Sequence, residues 1–124
     1  MNQQETETLK LAAKAMGFHV ESIEANHVWL FNRYPDPEEL YGLRKWTPHL
    51  GGADAYEILC KFTADIRWFH VIANGFPDLM CRVNLFDDNG NESGDAREYL
   101  SCHPFKEIAL GWALVKAAAS TVKD

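Results

Sequence analysis

The side chains that could bind a metal ion or act as nucleophiles are five histidines and three cysteines. Zinc ligands usually come at least partly in close pairs, as in CxxC, HxxxH or HExxH motifs. None of these spacings occurs in the sequence, and neither a glycine-rich phosphate loop nor a dinucleotide fingerprint is present. We therefore expect no metal ion and no cofactor.

Cys102 and His103 are the one adjacent cysteine and histidine, and they stand just before a predicted helix. A thiol at a helix start beside an imidazole is a common way to activate a nucleophile. We predict a strand up to Cys102, however, and adjacent residues on a strand point to opposite faces. The pattern therefore favours a structural role for this pair and no catalytic residue. Cys60 and Cys81 are predicted to be small core residues.

The acidic segment Asp87-Asp88-Asn89-Gly90 invites comparison with a calcium-binding loop. With Asp87 at the first position, the glycine that such a loop needs at its sixth position is replaced by Glu92, and no clear helices flank the segment. The sequence therefore predicts a hairpin turn here.

Candidate binding residues cluster around the long segment from Arg33 to Gly52, which prolines and glycines interrupt. They are Tyr41, Trp46, His49 and Asp54. One interpretation is that the aromatic rings fold back onto the core. The alternative is a pocket beneath this segment, in which His49 and Asp54 would serve as an acid–base pair.

Composition limits the classes of function. The chain has 124 residues with 12 basic and 18 acidic side chains, a formal charge of −6. The basic residues are scattered, so we expect no direct binding of nucleic acid. An acidic mimic of nucleic acid remains an alternative that rests on the charge alone. From the polar start MNQQETETLK we expect no signal peptide, and from the short apolar stretches we expect no membrane span. We expect a cytoplasmic protein that does not bind membranes.

Hydrophobic periodicity predicts the element order α-β-β-α-β-β-β-α. The predicted helices are about Glu5–Met16, Ala53–Phe62 and Pro104–Val122. The predicted strands are about Phe18–Ile23, His27–Asn32, Ile66–Ala73, Leu79–Asp87 and Ala96–Cys102. The remainder of Arg33–Gly52 is predicted to be irregular, with a helical turn at Pro37–Tyr41. We predict one α+β domain over residues 1–124, a mostly antiparallel sheet of about five strands with helices packed on it.

Three segments resemble a known family. They are KLAAKAMGF near the start, Trp46-Thr47-Pro48 followed by Gly51-Gly52-Ala53-Asp54-Ala55, and EIALGWALVKAAAS near the end. Together they resemble the phage α-β-α sandwich domain family and, more loosely, the phage NinX-like proteins. An acidic pair of that pattern is replaced here by Gly51-Gly52. The resemblance implies a sheet between helices and a phage or prophage gene product, and it carries no catalytic residue across.

Our leading hypothesis is a non-enzymatic module that binds a protein of the host or phage, or a second copy of itself. It rests on the missing catalytic constellation and on the aromatic residues around the long segment, since interfaces favour Trp and Tyr. The alternatives are a small-molecule binder or enzyme with its pocket under residues 33–52, and the acidic mimic of nucleic acid.

Overall fold

The structure is a computed structural model that describes residues 2–24, 27–31 and 43–122. Its helices are α1 (Gln3–Ala15), α2 (Gly52–Lys61) and α3 (Lys106–Ser120). Its strands are β1 (Val20–Glu24), β2 (His27–Phe31), β3 (Leu43–Trp46), β4 (Thr63–Ala73), β5 (Phe76–Phe86) and β6 (Glu92–Tyr99). Two 3₁₀ turns, Pro48–Leu50 and Leu100–Cys102, precede α2 and α3. The predicted α+β class is confirmed.

The strands form two antiparallel three-stranded sheets, in the orders β1-β2-β3 and β4-β5-β6. The predicted sheet of about five strands is therefore divided, and β3 lies within the segment that we expected to be irregular. Its four residues include the charged pair Arg44-Lys45, which hides the strand pattern in the sequence. The helical turn predicted at Pro37–Tyr41 lies outside the described residues.

Local signals set the limits of α1. Asn2 caps its start, where the side-chain Oδ1 accepts a hydrogen bond from the Glu5 N–H at 2.8 Å. The sequence suggests Thr6 or Thr8 for this role, which are four and six residues too late. At the other end Gly17 adopts the predicted left-handed conformation, with a φ of +78°.

Helix α3 is the centre of the fold, and it packs against α1, β5, β6 and the Pro48–Leu50 turn. Most of its residues from Ala109 to Ala119 are buried, so the helix is covered on several sides. Small residues make this possible. A Cβ added to Gly111 would lie 2.8 Å from the Pro48 carbonyl oxygen, so only glycine permits that approach.

The sheet β4-β5-β6 has one face turned towards α3 and one face that no described helix covers. The inner face carries Cys81, Val83 and Leu85, all buried, which confirms the predicted alternation along β5. The predicted turn after β5 is also confirmed, because Asp87 Oδ1 accepts hydrogen bonds from the N–H groups of Asn89 and Asn91. None of the described helices combines the length and the apolar character that a membrane span requires.

Candidate functional site

Trp46 lies in the core. Its side chain is completely buried and packs edge-on against Phe18, with ring centroids 5.5 Å apart. No hydrogen-bond partner for the indole Nε1 is found in the described part of the chain. For Trp46, these contacts agree with the interpretation that the aromatic rings of this segment fold back onto the core.

His49 is also buried, and its ring contacts that of Trp112 on α3 with centroids 5.0 Å apart. The close approach at Gly111 described above brings the backbone of the Pro48–Leu50 turn onto α3. His49 therefore occupies a packing position between the turn and the central helix.

Asp54 connects the start of α2 to the residue after β3. Its Oδ2 accepts a hydrogen bond from the Thr47 backbone N–H at 2.8 Å. Tyr41, the fourth predicted binding residue, lies outside the described residues. The structure thus places Trp46, His49 and Asp54 in one neighbourhood, where their observed contacts join β3, α2 and α3. Their predicted role in binding stays a prediction.

A cleft of about 400 Å³ lies elsewhere, between the first turns of α1 and the segment that leads from β6 into α3. Its volume is within the range of small-ligand sites. The residues that line it are Asn2, Gln4, Glu5, Thr8, Glu98, Cys102, His103, Trp112 and Lys116. None of Trp46, His49 and Asp54 is among them.

Glu98 is the most unusual residue of this cleft, because its carboxylate is buried, with 8% of the side chain exposed. Its Oε2 lies 3.1 Å from His103 Nε2, and its Oε1 forms an ion pair with the Lys116 ammonium group. A buried carboxylate requires such partners. Burial and, secondarily, the negative charge of Glu98 raise the pKa of the neighbouring Cys81 thiol to about 11.

The turn Leu100–Cys102 determines which way Cys102 and His103 point. Strand β6 ends at Tyr99, three residues before the predicted end, so Cys102 belongs to a 3₁₀ turn. Both Cys102 and His103 consequently line the same cleft, whereas a strand would have directed them to opposite faces. We predicted a structural role for this pair because a strand would direct the two side chains to opposite faces. That premise is wrong.

Asp78 at the start of β5 holds this turn in place. Its carboxylate accepts hydrogen bonds from Ser101 Oγ at 2.6 Å and from the Ser101 N–H at 3.1 Å. The Ser101 hydroxyl group is the main cause of a lowered pKa of Asp78. The turn, and with it Cys102, is thereby fixed to a neighbouring strand.

Another feature with functional potential is the far end of the β4–β5 hairpin, beyond the part that α3 covers. We call Phe69, Ile72 and Phe76 the distal hairpin surface; their exposed fractions are 39%, 72% and 73%. Phe69 and Phe76 lie on the outer face of the sheet and Ile72 on the face that carries Val83, so this end of the hairpin exposes apolar side chains on both faces. Strand β4 is also an edge strand, paired only with β5 among the described strands.

Sequence reasoning missed Glu98 as a site residue. The register supplies the reason, since Glu98 pairs with Cys81 and therefore shares the inner face of the sheet with the core. A single glutamate in a strand pattern is normally assigned to the solvent face, and only the pairing across strands reveals otherwise. Cys60, predicted to be a core residue, is exposed on α2.

Within the described residues, no group of three or more His, Cys, Asp or Glu side chains is placed to hold a metal ion.

Comparison with known proteins adds no relative. No protein-family model matches the chain, and no curated protein or solved structure matches it either.

Proposed function

We propose that this protein works by binding another protein, which adds an extended segment as a strand to the open edge of β4. The observation that carries the proposal is the combination of this 11-residue edge, which no described strand pairs, with the distal hairpin surface. Strand addition to an exposed sheet edge is a recurrent mode of protein recognition, in which main-chain hydrogen bonds supply affinity.

The turn of the hairpin indicates which backbone groups are available to a partner. Asn74 and Gly75 have φ values of +52° and +81°, as in a two-residue turn of type I′. The flanking pair Ala73 and Phe76 then exchange hydrogen bonds within the hairpin, and the pattern repeats at every second residue. The N–H and C=O groups of the even-numbered residues from 64 to 72 therefore point away from β5.

Side chains beside this edge favour a protein partner. On the outer face Arg67, Arg82 and Arg97 stand side by side across the three strands, with Asp65 paired to Arg67 and Asp95 paired to Arg82. This arrangement gives the acidic mimic of nucleic acid no support beyond the net charge. The apolar residues Phe69 and Ile72 instead supply area that a protein partner would bury.

A phage or prophage origin and a bacterial cytoplasmic location belong to the same proposal. The origin is supported by the resemblance of the first, middle and last segments to phage proteins. The location is supported by the three cysteines, none of which forms a disulfide.

The test is a comparison of partner capture by three versions of the full chain from a bacterial lysate. Ile72→Lys places a charge beside the edge of β4. Tyr56→Lys introduces the same charge at a similarly exposed residue of α2, 64% exposed, and is the matched control. We expect a protein that the native chain and the Tyr56 variant capture and that the Ile72 variant loses.

A second variant addresses the backbone directly. His70→Pro removes an outward-pointing N–H from β4 without removing a donor of the β4–β5 ladder. Capture that persists in both the Ile72 and the His70 variants would contradict binding at this edge. A native protein that stays monomeric and captures nothing would contradict the proposal as a whole.

A further inference from the structure

The cleft between α1 and α3 is lined by a thiol, an imidazole and a buried carboxylate, and it is separate from the β4 edge. We infer that Cys102 is the nucleophile of an acyl-transfer site, in which His103 accepts the thiol proton and Glu98 positions His103. These are the parts that thiol catalysis requires: a nucleophile, a base and a group that orients the base.

The contact between Glu98 and His103 fixes the protonation pattern of the imidazole ring. A carboxylate paired with Lys116 is ionised and can only accept, so the proton of the 3.1 Å contact resides on His103 Nε2. Nδ1 then carries the lone pair in the neutral ring, and no hydrogen bond to it is found within residues 2–24, 27–31 and 43–122. His103 thus offers a basic nitrogen on the ring edge opposite Glu98.

Holding Glu98 in this position costs desolvation free energy, which the ion pair with Lys116 and the contact with His103 offset. A purely apolar residue on the inner face would avoid that cost, as Val83 and Leu85 do. Strong pairing of a buried charge at the wall of a cleft is a feature of functional sites. It makes Glu98 a positioning residue, because it touches His103 and acts through it.

The cleft walls indicate the class of substrate. Lys116 lines the cleft with its ammonium group paired to Glu98, so its positive charge is balanced there. Glu5 lines the cleft from α1 and disfavours substrates that carry a negative charge. The indole ring of Trp112 supplies an apolar wall. We assign the site to small esters or thioesters that are uncharged or positively charged.

In the proposed reaction, water is the final acceptor of the acyl group. The Cys102 sulfur adds to the acyl carbon while its proton passes to His103 Nδ1. The tetrahedral intermediate then expels the alcohol or thiol, which takes that proton and leaves an S-acyl Cys102. Water adds to the thioester with His103 again accepting a proton, and collapse releases the carboxylic acid and restores the thiol.

The chain contains its own control, because Cys60 is an exposed thiol on α2 that does not line the cleft. Buried Cys81, whose pKa is raised to about 11, supplies an unreactive reference. Three thiols in one molecule can therefore be compared in a single reaction.

The experiment treats the full chain with p-nitrophenyl acetate and follows acetylation of each cysteine by peptide mass spectrometry. We expect Cys102 to be acetylated at least about tenfold faster than Cys60, a modest share of what a positioned base supplies. In denaturant the two rates should become similar, because unfolding removes His103 from its place. Equal rates for Cys102 and Cys60 in the native protein would overturn the inference without any variant.

Two variants separate the roles of the other residues. His103→Gln should lower the rate at Cys102 to that at Cys60 and leave the Cys60 rate unchanged. Glu98→Gln should lower it in part, and the ¹⁵N chemical shifts of the His103 ring should change from the Nε2–H tautomer to a mixture. An unchanged rate at Cys102 in the His103 variant would contradict the base assignment. Neither outcome bears on the edge of β4, which is tested separately.

Discussion

The two halves of the β4–β5 hairpin have similar backbones and opposite surroundings. In the half next to α2 and α3, Val83 and Leu85 are completely buried. In the half next to the turn, Ile72 lies on the same face of the sheet but is 72% exposed, because the covering elements end before it is reached. One half therefore contributes to folding, whereas the other extends the sheet without contributing to the core.

The same alternation of side chains therefore runs through both halves of the hairpin, although one half is core and the other is exposed. Leu85 and Ile72 are equally apolar, and only the position of α3 distinguishes them. Apolar area left exposed in this way does not stabilise the monomer. Contact with a partner, the function that we propose, would bury this area.

Substitution in the buried half should produce the largest effect. Leu85→Ala removes a fully buried side chain and leaves a cavity beneath α3, so we expect a loss of about 2–5 kcal/mol in the free energy of unfolding. Urea denaturation followed by tryptophan fluorescence measures it. A loss below about 1 kcal/mol would show that this half is not a part of the core.

Alkaline pH should destabilise the same half. Burial raises the pKa of the Cys81 thiol from its ordinary value of 9.0 to about 11, so between these values the folded protein keeps a proton that the unfolded chain loses. Stability therefore falls as pH rises through this window, by at most about 2–3 kcal/mol. The difference between the native protein and Cys81→Ala across this range isolates the contribution of the thiol. Parallel pH profiles for the two proteins would contradict it.

The close approach of β6 to α3 is a second contact of the buried half that substitution can test. Gly94 pairs with Leu85, and a Cβ added to it would collide with the Ala117 carbonyl oxygen of α3. Gly94→Ala should therefore cost about 1–3 kcal/mol, because backbone must move. Gly90→Ala tests the turn for comparison, where a Cβ would meet open space and the cost reflects only the φ of +81°. Equal stability of the native protein and Gly94→Ala would contradict the close approach.

The smallest effect is expected in the distal half. Ile72→Ala should change the free energy of unfolding by no more than about 0.5 kcal/mol, because the exposed side chain makes few core contacts. Thermal and urea denaturation beside Leu85→Ala give the comparison directly. A loss close to that of Leu85→Ala would mean that the distal half is covered in solution.

Local signals in the sequence were sufficient for much of the fold. The apolar face of α1, the left-handed Gly17 and the turn at Asp87 depend on neighbouring residues, and each is predicted correctly. Strand β3 was missed because Arg44 and Lys45 conceal its pattern. Arg44 lies there because its guanidinium group pairs with Glu57 of α2, a contact that spacing along the chain does not reveal.

The candidate site was harder to predict, because it depends on contacts between distant segments. Glu98 faces the core only through its register with Cys81, and His103 joins it only because β6 ends early. The pair Cys102 and His103 was recognised in the sequence, but a predicted strand of three extra residues led to the wrong orientation. An error of that size at a strand end reverses the faces of its side chains.

Stability and partner capture should be measured on the same variant, Ile72→Lys. We expect its free energy of unfolding to stay within about 0.5 kcal/mol of the native value, while capture of the partner is lost. A variant that is equally stable and still captures the partner would contradict the assignment of the distal half of the hairpin to protein binding.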